Sequence, residues 1–485
     1  MFISDSGWIQ LKESLTKKLF LGYEPTPELI AILLVYFVQG ILGLARLAVS
    51  FFLKDELALS PAQVSALLGI VALPWIIKPV FGFVSDGLPM FGYRRRPYLV
   101  LSGILGAISW VSLATVVRTP MAATLALLLG SLSVAFSDVI VDSLVVERAR
   151  GESQGDAGSL QSLCWGASSV GGLLTAYFSG LLLQRFSNHT VFWITASFPL
   201  IISVVAWLIA ESPVSDHPNS STLKHQFRQL RQAVTQKAIW LPTAFLFLWQ
   251  ATPTAESAFF FFTTNELGFN PEFLGRVRFV TSLASLVGIW IFQRFLKTIP
   301  FRVIFGWSTV LSSVLGMTML LLVTHTNRAL GIDDHWFSLG DSLILTVMGQ
   351  IAYMPVLVLA ARLCPPGVEA TFFALLMSIT NLAGLVSYEF GAVLMHRLGI
   401  TETNFDALWV LVVIANLSTL LPLPFLNWLP ESEAPQSQTP TLQPVPALEN
   451  DATASKHMGQ TFIPDLMSEL VPQSLLREPA EKAVD

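Results

Sequence analysis

The 485-residue chain is 53% apolar and only 13% charged, and its mean hydropathy is +0.62. A soluble domain carries about 25% charged residues, so this composition indicates an integral membrane protein. The 28 basic and 33 acidic residues leave a net charge of −5. Because nucleic-acid binding calls for a basic excess, the composition argues against that class of function.

Twelve apolar stretches are long enough to cross a bilayer, since a spanning helix needs about 20 mostly apolar residues. They cover residues 28–53, 61–83, 97–118, 121–146, 157–184, 189–210, 239–262, 271–294, 303–324, 338–362, 369–396 and 405–429. Arg118, Thr119 and Pro120 separate the third span from the fourth, because proline and the residue before it disfavour helix. The predicted fold class is an all-α polytopic membrane protein with twelve transmembrane helices.

The polar segments divide the chain into five parts. We expect a cytoplasmic N-terminal segment, a six-helix bundle, a cytoplasmic central loop, a second six-helix bundle and a disordered cytoplasmic tail. Their bounds are 1–27, 28–210, 211–238, 239–429 and 430–485. The tail is rich in Pro, Gln, Ser and Glu, so it has too little apolar area to fold alone.

Sixteen Lys and Arg residues flank the spans on one side and five on the other. Because basic residues concentrate in cytoplasmic loops, both termini are predicted to be cytoplasmic. Residues 1–26 resemble neither a cleaved signal nor a transit peptide. The two cysteines, Cys164 and Cys364, exclude a disulfide framework, and no metal site or cofactor is predicted. An enzyme is disfavoured, since the sequence has no nucleotide-binding Gly-rich loop and no Cys/His cluster.

Two segments of the first half recur in the second half. Residues 166–172 (GASSVGG) match residues 378–384 (SITNLAG) at an offset of 212, and the Gly82-to-Arg96 spacing recurs from Gly288 to Arg302. With six spans on each side of the central loop, these repeats predict two pseudo-symmetric six-helix bundles, as in internally duplicated transporters.

Polar residues are distributed unevenly among the spans. The third, sixth, ninth and twelfth have no ionisable residue in their cores, so these helices are suited to face lipid. The other eight spans hold ionisable or amide side chains, which usually face a cavity or a partner inside a membrane. The candidate substrate-binding or coupling residues are Gln39, Arg46, Lys78, Asp138, Asp142, Gln161, Gln250, Glu256, Arg278, Tyr353, Asn381 and Glu389.

Two charge pairs are predicted from depth along the helices. At 1.5 Å per residue, Arg46 and Glu256 both lie roughly 26 Å above the cytoplasmic side, where they would pair near the outer mouth. Lys78 and Asp138 would pair toward the cytoplasmic side. Either pair could belong to a gate or be a static structural bridge, and the sequence leaves both interpretations open.

Asp138 and Asp142 lie four residues apart on one helix face, where like charges repel. One of them is therefore a candidate proton acceptor, although Asp142 is also near enough to the interface to be solvated. Pro253 and Pro355 are predicted to interrupt the seventh and tenth helices, because proline removes a backbone hydrogen bond.

The loop from Gly82 to Arg96 (GFVSDGLPMFGYRRR) resembles the loop after the second span of major facilitator transporters. Those proteins have a Gly, an Asp four residues later and a basic cluster, here Gly82, Asp86 and Arg94, Arg95 and Arg96. The insertion GLPMFGY makes this version longer than usual. With residues 78–86, 137–150 and 369–384, the loop resembles the folate–biopterin transporter family, over roughly residues 20–430.

The resemblance implies the major facilitator fold, a folate or pterin substrate, coupling to protons, and a monomer in a bacterial inner membrane. Asp138 or Glu256 would orient the pterin ring, while Arg46, Lys78 or Arg278 would bind the glutamyl tail. Trp165 or Tyr353 could stack on the ring or simply pack in the core. By the same resemblance, Asp86 and the arginines would close the cytoplasmic side; alternatively, the arginines only set topology.

Two alternatives remain open at this level. A carrier of another organic anion would use the same scaffold, since fold does not determine substrate. A non-transporting pigment-binding or assembly factor is disfavoured, because all seven histidines lie in loops, at span ends or in the tail.

Overall fold

The computed structural model describes residues 23–149, 154–213, 237–296, 299–362 and 369–430. Within these ranges the chain is helical and forms no β-strand, apart from one isolated bridge between Met90 and Tyr93. The predicted central loop falls largely outside the described residues, as do the tail and Cys364.

The helices of the first half are α1 (Pro27–Glu56), α2 (Pro61–Ser85), α3 (Arg96–Thr115), α4 (Pro120–Ala149), α5 (Gln154–Arg185) and α6 (Asn188–Leu208). In the second half, α7 consists of two pieces, Lys237–Gln250 and Glu256–Phe261. It is followed by α8 (Pro271–Leu296), α9 (Phe301–Val323), α10 (Asp334–Arg362), α11 (Glu369–Arg397) and α12 (Leu408–Trp428).

Ten of these helices contain a segment long and apolar enough to span a membrane; α7 and α11 are not among the ten. The helices nevertheless coincide with the twelve predicted spans, and α3 and α4 are separated at the predicted hairpin. The first piece of α7 has an apolar stretch of only twelve residues, Ile239–Gln250, so the seventh pass depends on both pieces.

Helices α1, α2 and α8 begin with a polar N-cap followed directly by proline, as does α4 with Thr119 and Pro120. Thr26 Oγ1 accepts a hydrogen bond from the Leu29 amide at the start of α1. Ser60 and Asn270 cap α2 and α8 in the same way. The cap satisfies a free amide, and proline suits the first turn because its missing N–H would have no helical partner.

Pro253 interrupts α7, but Pro355 does not interrupt α10. Residues 251–255 around Pro253 are not helical, as predicted. The prediction for Pro355 was wrong, because α10 continues through it to Arg362. A proline need only bend a helix when packing against neighbouring helices holds the segments on either side.

The helices α3, α6, α9 and α12 present apolar side chains to the outside of the molecule. Exposed examples are Leu101, Ile104, Trp193, Val204, Trp307, Val314, Trp409 and Leu421. Contacts join α3 to α4 and α6, and α9 to α10 and α12. These helices are therefore suited to face lipid, as the sequence predicted.

Glycines bring α5 unusually close to two neighbours. A Cβ atom built on Gly40 of α1 would lie 2.1 Å from the carbonyl oxygen of Ser168, and one on Gly171 would lie 2.5 Å from that of Phe37. Farther along α5, a Cβ on Gly180 would lie 2.4 Å from the Pro271 carbonyl oxygen. Helix α5 thus touches α1 of its own half and α8 of the other.

The two halves share local features as well as helix order. Both α1 and α7 continue into a π-helical turn, Phe52–Glu56 and Phe262–Glu266. At the start of α3, Arg96 Nε donates to the Ile209 carbonyl oxygen at 2.7 Å. At the start of α9, Arg302 Nε donates to the Leu429 carbonyl oxygen at 2.9 Å. The Gly82–Arg96 repeat found in the sequence therefore ends on equivalent contacts in both halves.

Candidate functional site

The polar side chains between the helices occupy two levels. We call the side of the molecule where α1 begins and α12 ends the proximal side, and the opposite side the distal side. The distal cluster consists of Arg46, Glu256, Arg278 and Tyr388, each about 10–15 Å along its helix from the distal end. The central cluster consists of Tyr36, Gln39, Lys78, Asp138 and Asp142, about 25–33 Å from that end.

The central cluster contains the predicted ion pair between Lys78 of α2 and Asp138 of α4. The Lys78 ammonium contacts the Asp138 carboxylate, and the two side chains are only 18% and 15% exposed. The ammonium also lies 4.8 Å from the centre of the Trp75 ring, within cation–π range. Both neighbours offset the desolvation of Lys78; whether the pair also works as a gate stays a prediction.

Asp142 is bound within the bundle, so the expectation that it is merely a solvated residue was wrong. Its Oδ1 accepts a hydrogen bond of 2.5 Å from the Tyr36 hydroxyl of α1. Sequence reasoning missed Tyr36. The available signal was a phenol in the middle of an apolar span, since a buried Tyr hydroxyl needs a polar partner.

Gln39 lies one helical turn beyond Tyr36 on α1. Its Nε2 atom is buried, and no hydrogen-bond partner for it lies among the described residues. A buried amide without a partner is costly, so this donor is suited to bind a group that the protein itself does not supply.

The predicted ion pair between Arg46 and Glu256 was wrong as a direct contact. No salt bridge joins these two exposed side chains in the described part of the chain. Instead, Glu256 Oε2 accepts a hydrogen bond of 3.1 Å from the Tyr388 hydroxyl. Arg278 of α8 lies close enough for its charge to interact with both Arg46 and Glu256.

The break in α7 explains the difference. Residues 251–255 leave the helix, so the angular position of Glu256 does not follow from counting helical residues upstream. Ser387 of α11 holds the break in place: its Oγ donates to the Thr252 carbonyl oxygen at 2.5 Å, and its carbonyl accepts from the Thr254 amide at 3.3 Å. Tyr388, the next residue, is thereby directed toward Glu256.

The other predicted site residues fall in several places. Asn381 Nδ2 of α11 donates to the Trp75 carbonyl oxygen of α2 at 3.2 Å, which joins the two halves. The Glu389 carboxylate lies against Gly69, where a Cβ atom would be 2.8 Å from its Oε1. Gln250 is the last residue before the α7 break, and it is half-buried.

Tyr353 is not part of either cluster. It packs against a core group of the second half that includes Phe245, Phe305 and Trp249, which favours the packing interpretation. Trp165 is exposed. The Gln161 side chain lies outside the described part of the structure, so its predicted role stays untested.

The loop between α2 and α3 is tied to α6 within its own half. Glu211 accepts hydrogen bonds from the backbone amides of Arg94, Arg95 and Arg96 at 2.5, 2.9 and 3.0 Å. Arg95 is buried, and its Nη1 donates to Ser85 Oγ at 3.0 Å. Sequence reasoning missed Glu211, although a carboxylate suits the free amides at a helix start.

The predicted proximal gate is therefore described only in part. Gly82 lies on α2, where a Cβ atom would be 3.8 Å from Val139 Cγ1 of α4. Arg94 Nε is buried with no hydrogen-bond partner among the described residues. The Asp86 side chain lies outside the described part, so its contact with the arginines stays a prediction.

Three contacts between the halves lie toward the distal side. Ser65 Oγ of α2 donates to the Tyr388 carbonyl oxygen of α11 at 2.8 Å. Lys54 Nζ at the end of α1 donates to Asn265 Oδ1 at 2.7 Å, and Gly180 meets Gly275 where α5 crosses α8. These contacts place the distal cluster just below a region where the two halves touch.

An apolar groove between α7, α11 and α12, lined by residues such as Trp240, Phe247 and Leu376, lies apart from both clusters. Its lining has almost no polar surface, so it is not the candidate site. No group of three His, Cys, Asp or Glu side chains that could hold a metal occurs among the described residues.

Solved structures share this fold. The chain superposes on the nucleoside transporter NupG with a TM-score of 0.63 at 15% identity, over 82% of this chain and 98% of that one. It superposes on a D-xylose-proton symporter with a TM-score of 0.61 at 16% identity, over 83% and 98%. The chain therefore has the major facilitator fold that the sequence predicted.

The chain belongs to the BT1 family, whose family model matches residues 39–441. A folate-biopterin transporter of Synechocystis sp. is 64% identical over 423 residues, covering 87% of this chain and 86% of the relative. Folate transporter 2 of Plasmodium falciparum is 31% identical over 89% and 93%. A probable folate-biopterin transporter 2 of Arabidopsis thaliana is 33% identical over 81% of each. The resemblance found in the sequence is confirmed.

Proposed function

We propose that the protein carries folates and related pterins across a membrane by alternating access, coupled to protons. One observation carries the substrate assignment: the 64% identity to a folate-biopterin transporter, which extends over 87% of the chain. A carrier of another organic anion on the same scaffold is the alternative.

The central cluster supports this proposal by its chemistry. A pterin ring presents a flat edge of N–H donors and acceptors, which a carboxylate and an amide can bind. Asp138 and the free Gln39 amide lie at the same level, about 25–27 Å from the distal end. We assign the ring to this level.

Two carboxylates of the central cluster support coupling to protons. Asp138 and Asp142 are four residues apart on α4. Asp138 is paired with Lys78, and Asp142 accepts a hydrogen bond from the Tyr36 hydroxyl. Protonation of either carboxylate would relieve their mutual repulsion and weaken its bond to the partner. A proton could thereby change the contacts among α1, α2 and α4.

We further propose that the proximal side is cytoplasmic and that the protein works as a monomer in a bacterial inner membrane. The excess of Lys and Arg on the proximal side supports this orientation. Two six-helix bundles would move against each other, with residues 211–238 between them.

Uptake of labelled folate by cells that express the protein tests the substrate proposal. We expect uptake that saturates and that unlabelled folate and biopterin inhibit more strongly than other organic anions. Absence of folate uptake by protein shown to be in the membrane, together with uptake of another anion, would overturn it. Collapse of the proton gradient should abolish accumulation, and unchanged accumulation would contradict the coupling.

A further inference from the structure

The distal cluster has two cations and one anion. Arg46 is exposed between the helices and Arg278 is half-buried. Neither guanidinium has a hydrogen-bond or ion-pair partner among the described residues; the hydroxyls of Ser50, Thr281 and Ser282 donate only to backbone oxygens of the two arginines. A cation inside a membrane protein is costly unless an anion accompanies it.

Glu256 does not neutralise both arginines. It lies within electrostatic range of Arg278, but its Oε2 is held by the Tyr388 hydroxyl of α11. Tyr388 is in turn fixed through its own carbonyl oxygen, which accepts from Ser65. The cluster therefore keeps a surplus positive charge at a defined position, beside a carboxylate that is already oriented.

Helix packing brings the two arginines together. Helix α5 crosses α1 at Gly40 and Gly171 and crosses α8 at Gly180 and Gly275. Arg46 lies six residues beyond Gly40, and Arg278 lies three residues beyond Gly275. The close approach at both crossings holds α1 and α8 against the same helix, and counting along these helices places Arg46 and Arg278 about 15 and 10 Å from the distal end.

Lys78, the third cation predicted to bind an anion, already has an anionic partner within the protein. It pairs with Asp138 and lies over Trp75. Of the three cations predicted to bind an anion, Arg46 and Arg278 in the distal cluster are therefore the two without an ion-pair partner among the described residues. Arginine suits this purpose, because its planar guanidinium can donate two parallel hydrogen bonds to one carboxylate.

We propose that Arg46 and Arg278 form a subsite for the glutamyl carboxylates of folates, which makes the protein favour folates over pterins that lack this tail. The inference rests on the proposed function. The central and distal clusters are about 15 Å apart along the helices. A folate could extend between them because its aminobenzoyl group separates the ring from the carboxylates, whereas a simple pterin would contact only the central cluster.

Initial uptake rates of labelled folate, pteroate and biopterin by Arg278→Gln and Arg46→Gln test this subsite. A hydrogen bond to a charged group is worth enough to change affinity by about tenfold or more. We therefore expect each substitution to lower folate uptake at low concentration by about tenfold. The uptake rate of pteroate, which has one carboxylate, should fall less than that of folate. The uptake rate of biopterin should stay near the wild-type rate.

Arg276→Gln is the matched control. Arg276 lies on the same helix, two residues before Arg278, but it is exposed and paired with Glu272. Its substitution should leave the ratio of folate to biopterin uptake unchanged. Arg278→Lys, which keeps the charge but not the two-pronged geometry, should recover part of the folate rate.

The outcomes separate this inference from the proposed function. Wild-type protein that takes up neither folate nor biopterin would contradict the proposed function and the subsite with it. If the wild type transports both but Arg278→Gln lowers both equally, or lowers neither, the subsite is overturned while the proposed function stands. A selective loss of folate uptake supports both.

Discussion

Gln39 and Tyr36 lie on one face of α1, and they differ in their polar partners among the described residues. The Tyr36 hydroxyl donates to Asp142, whereas the buried Gln39 Nε2 has no partner among the described residues. A polar group kept in the core at a cost is suited to a ligand that satisfies it. Loss of the Gln39 amide should therefore leave the stability of the protein intact but impair transport.

Replacement of Gln39 by Leu should not destabilise the protein, because it removes an unsatisfied donor whose burial costs about 1–3 kcal/mol. The same change should raise the KM for folate, since a donor to the ligand is lost. Thermal stability of the purified protein and uptake kinetics measure the two effects. Asn381→Leu is the control: it loses a bond to Trp75 and should lower stability. A clear drop in the stability of Gln39→Leu would contradict the assignment.

Lys78→Met should lower both stability and uptake, because it leaves Asp138 largely buried without its counter-ion. Removal of one partner from a buried pair costs about 3–5 kcal/mol. The double variant Lys78→Met/Asp138→Leu should recover thermal stability, since it buries no unpaired charge, but it should not recover uptake. If the double variant transports at the wild-type rate, the pair is only a structural bridge.

At the scale of helices, two structural devices position the clusters. The break in α7 turns Glu256 toward Tyr388, and Ser387 holds that break from α11. The glycine crossings of α5 draw α1 and α8 together. Both devices depend on backbone groups of neighbouring helices, so small changes of side-chain size at the crossings should have large effects.

Gly171→Ala should destabilise the protein, because the new methyl group would lie 2.5 Å from the Phe37 carbonyl oxygen. Overpacking against backbone costs about 1–3 kcal/mol. The adjacent Gly172→Ala is the matched control: nothing lies within 4 Å of its Cβ position, and alanine favours helix. Thermal denaturation in detergent should rank Gly171→Ala below the wild type and Gly172→Ala level with it or above. Equal stability of both variants would argue against the close crossing.

For the whole molecule, the contacts between halves on the distal side define one state of a carrier. Lys54 Nζ donates to Asn265 Oδ1 at 2.7 Å and lies 5.7 and 5.9 Å from the ring centres of Phe51 and Phe261. Lys54 and Asn265 lie in the equivalent π-helical turns of the two halves. In an alternating-access cycle these turns must separate.

Cross-linking should therefore stop transport. In a background with Cys164 and Cys364 replaced by serine, Lys54→Cys/Asn265→Cys treated with a short bismaleimide should lose folate uptake in proportion to the cross-linked fraction. Each single-cysteine variant, treated identically, should keep its uptake. Full uptake by cross-linked protein would show that this contact does not open.

Much of the architecture follows from the sequence alone. The spans, the hairpin before Pro120 and the α7 break at Pro253 depend on local composition and on the backbone chemistry of proline, so they could be predicted without a structure. The Lys78–Asp138 pair was also accessible, because counting along α2 and α4 places both residues at matching depths. The internal repeat indicated in advance that Arg96 and Arg302 occupy equivalent positions.

Only the tertiary structure decided which polar groups face one another. Arg46, Glu256, Arg278 and Tyr388 come from four helices, and depth along a helix does not specify the direction in which a side chain points. The rotation of Glu256 depends on a non-helical segment held by α11, and the meeting of Arg46 with Arg278 depends on glycine crossings with α5. The sequence by itself determined a membrane carrier with charges inside; packing decided that two of its cations, Arg46 and Arg278, lie close to each other without an ion-pair partner among the described residues.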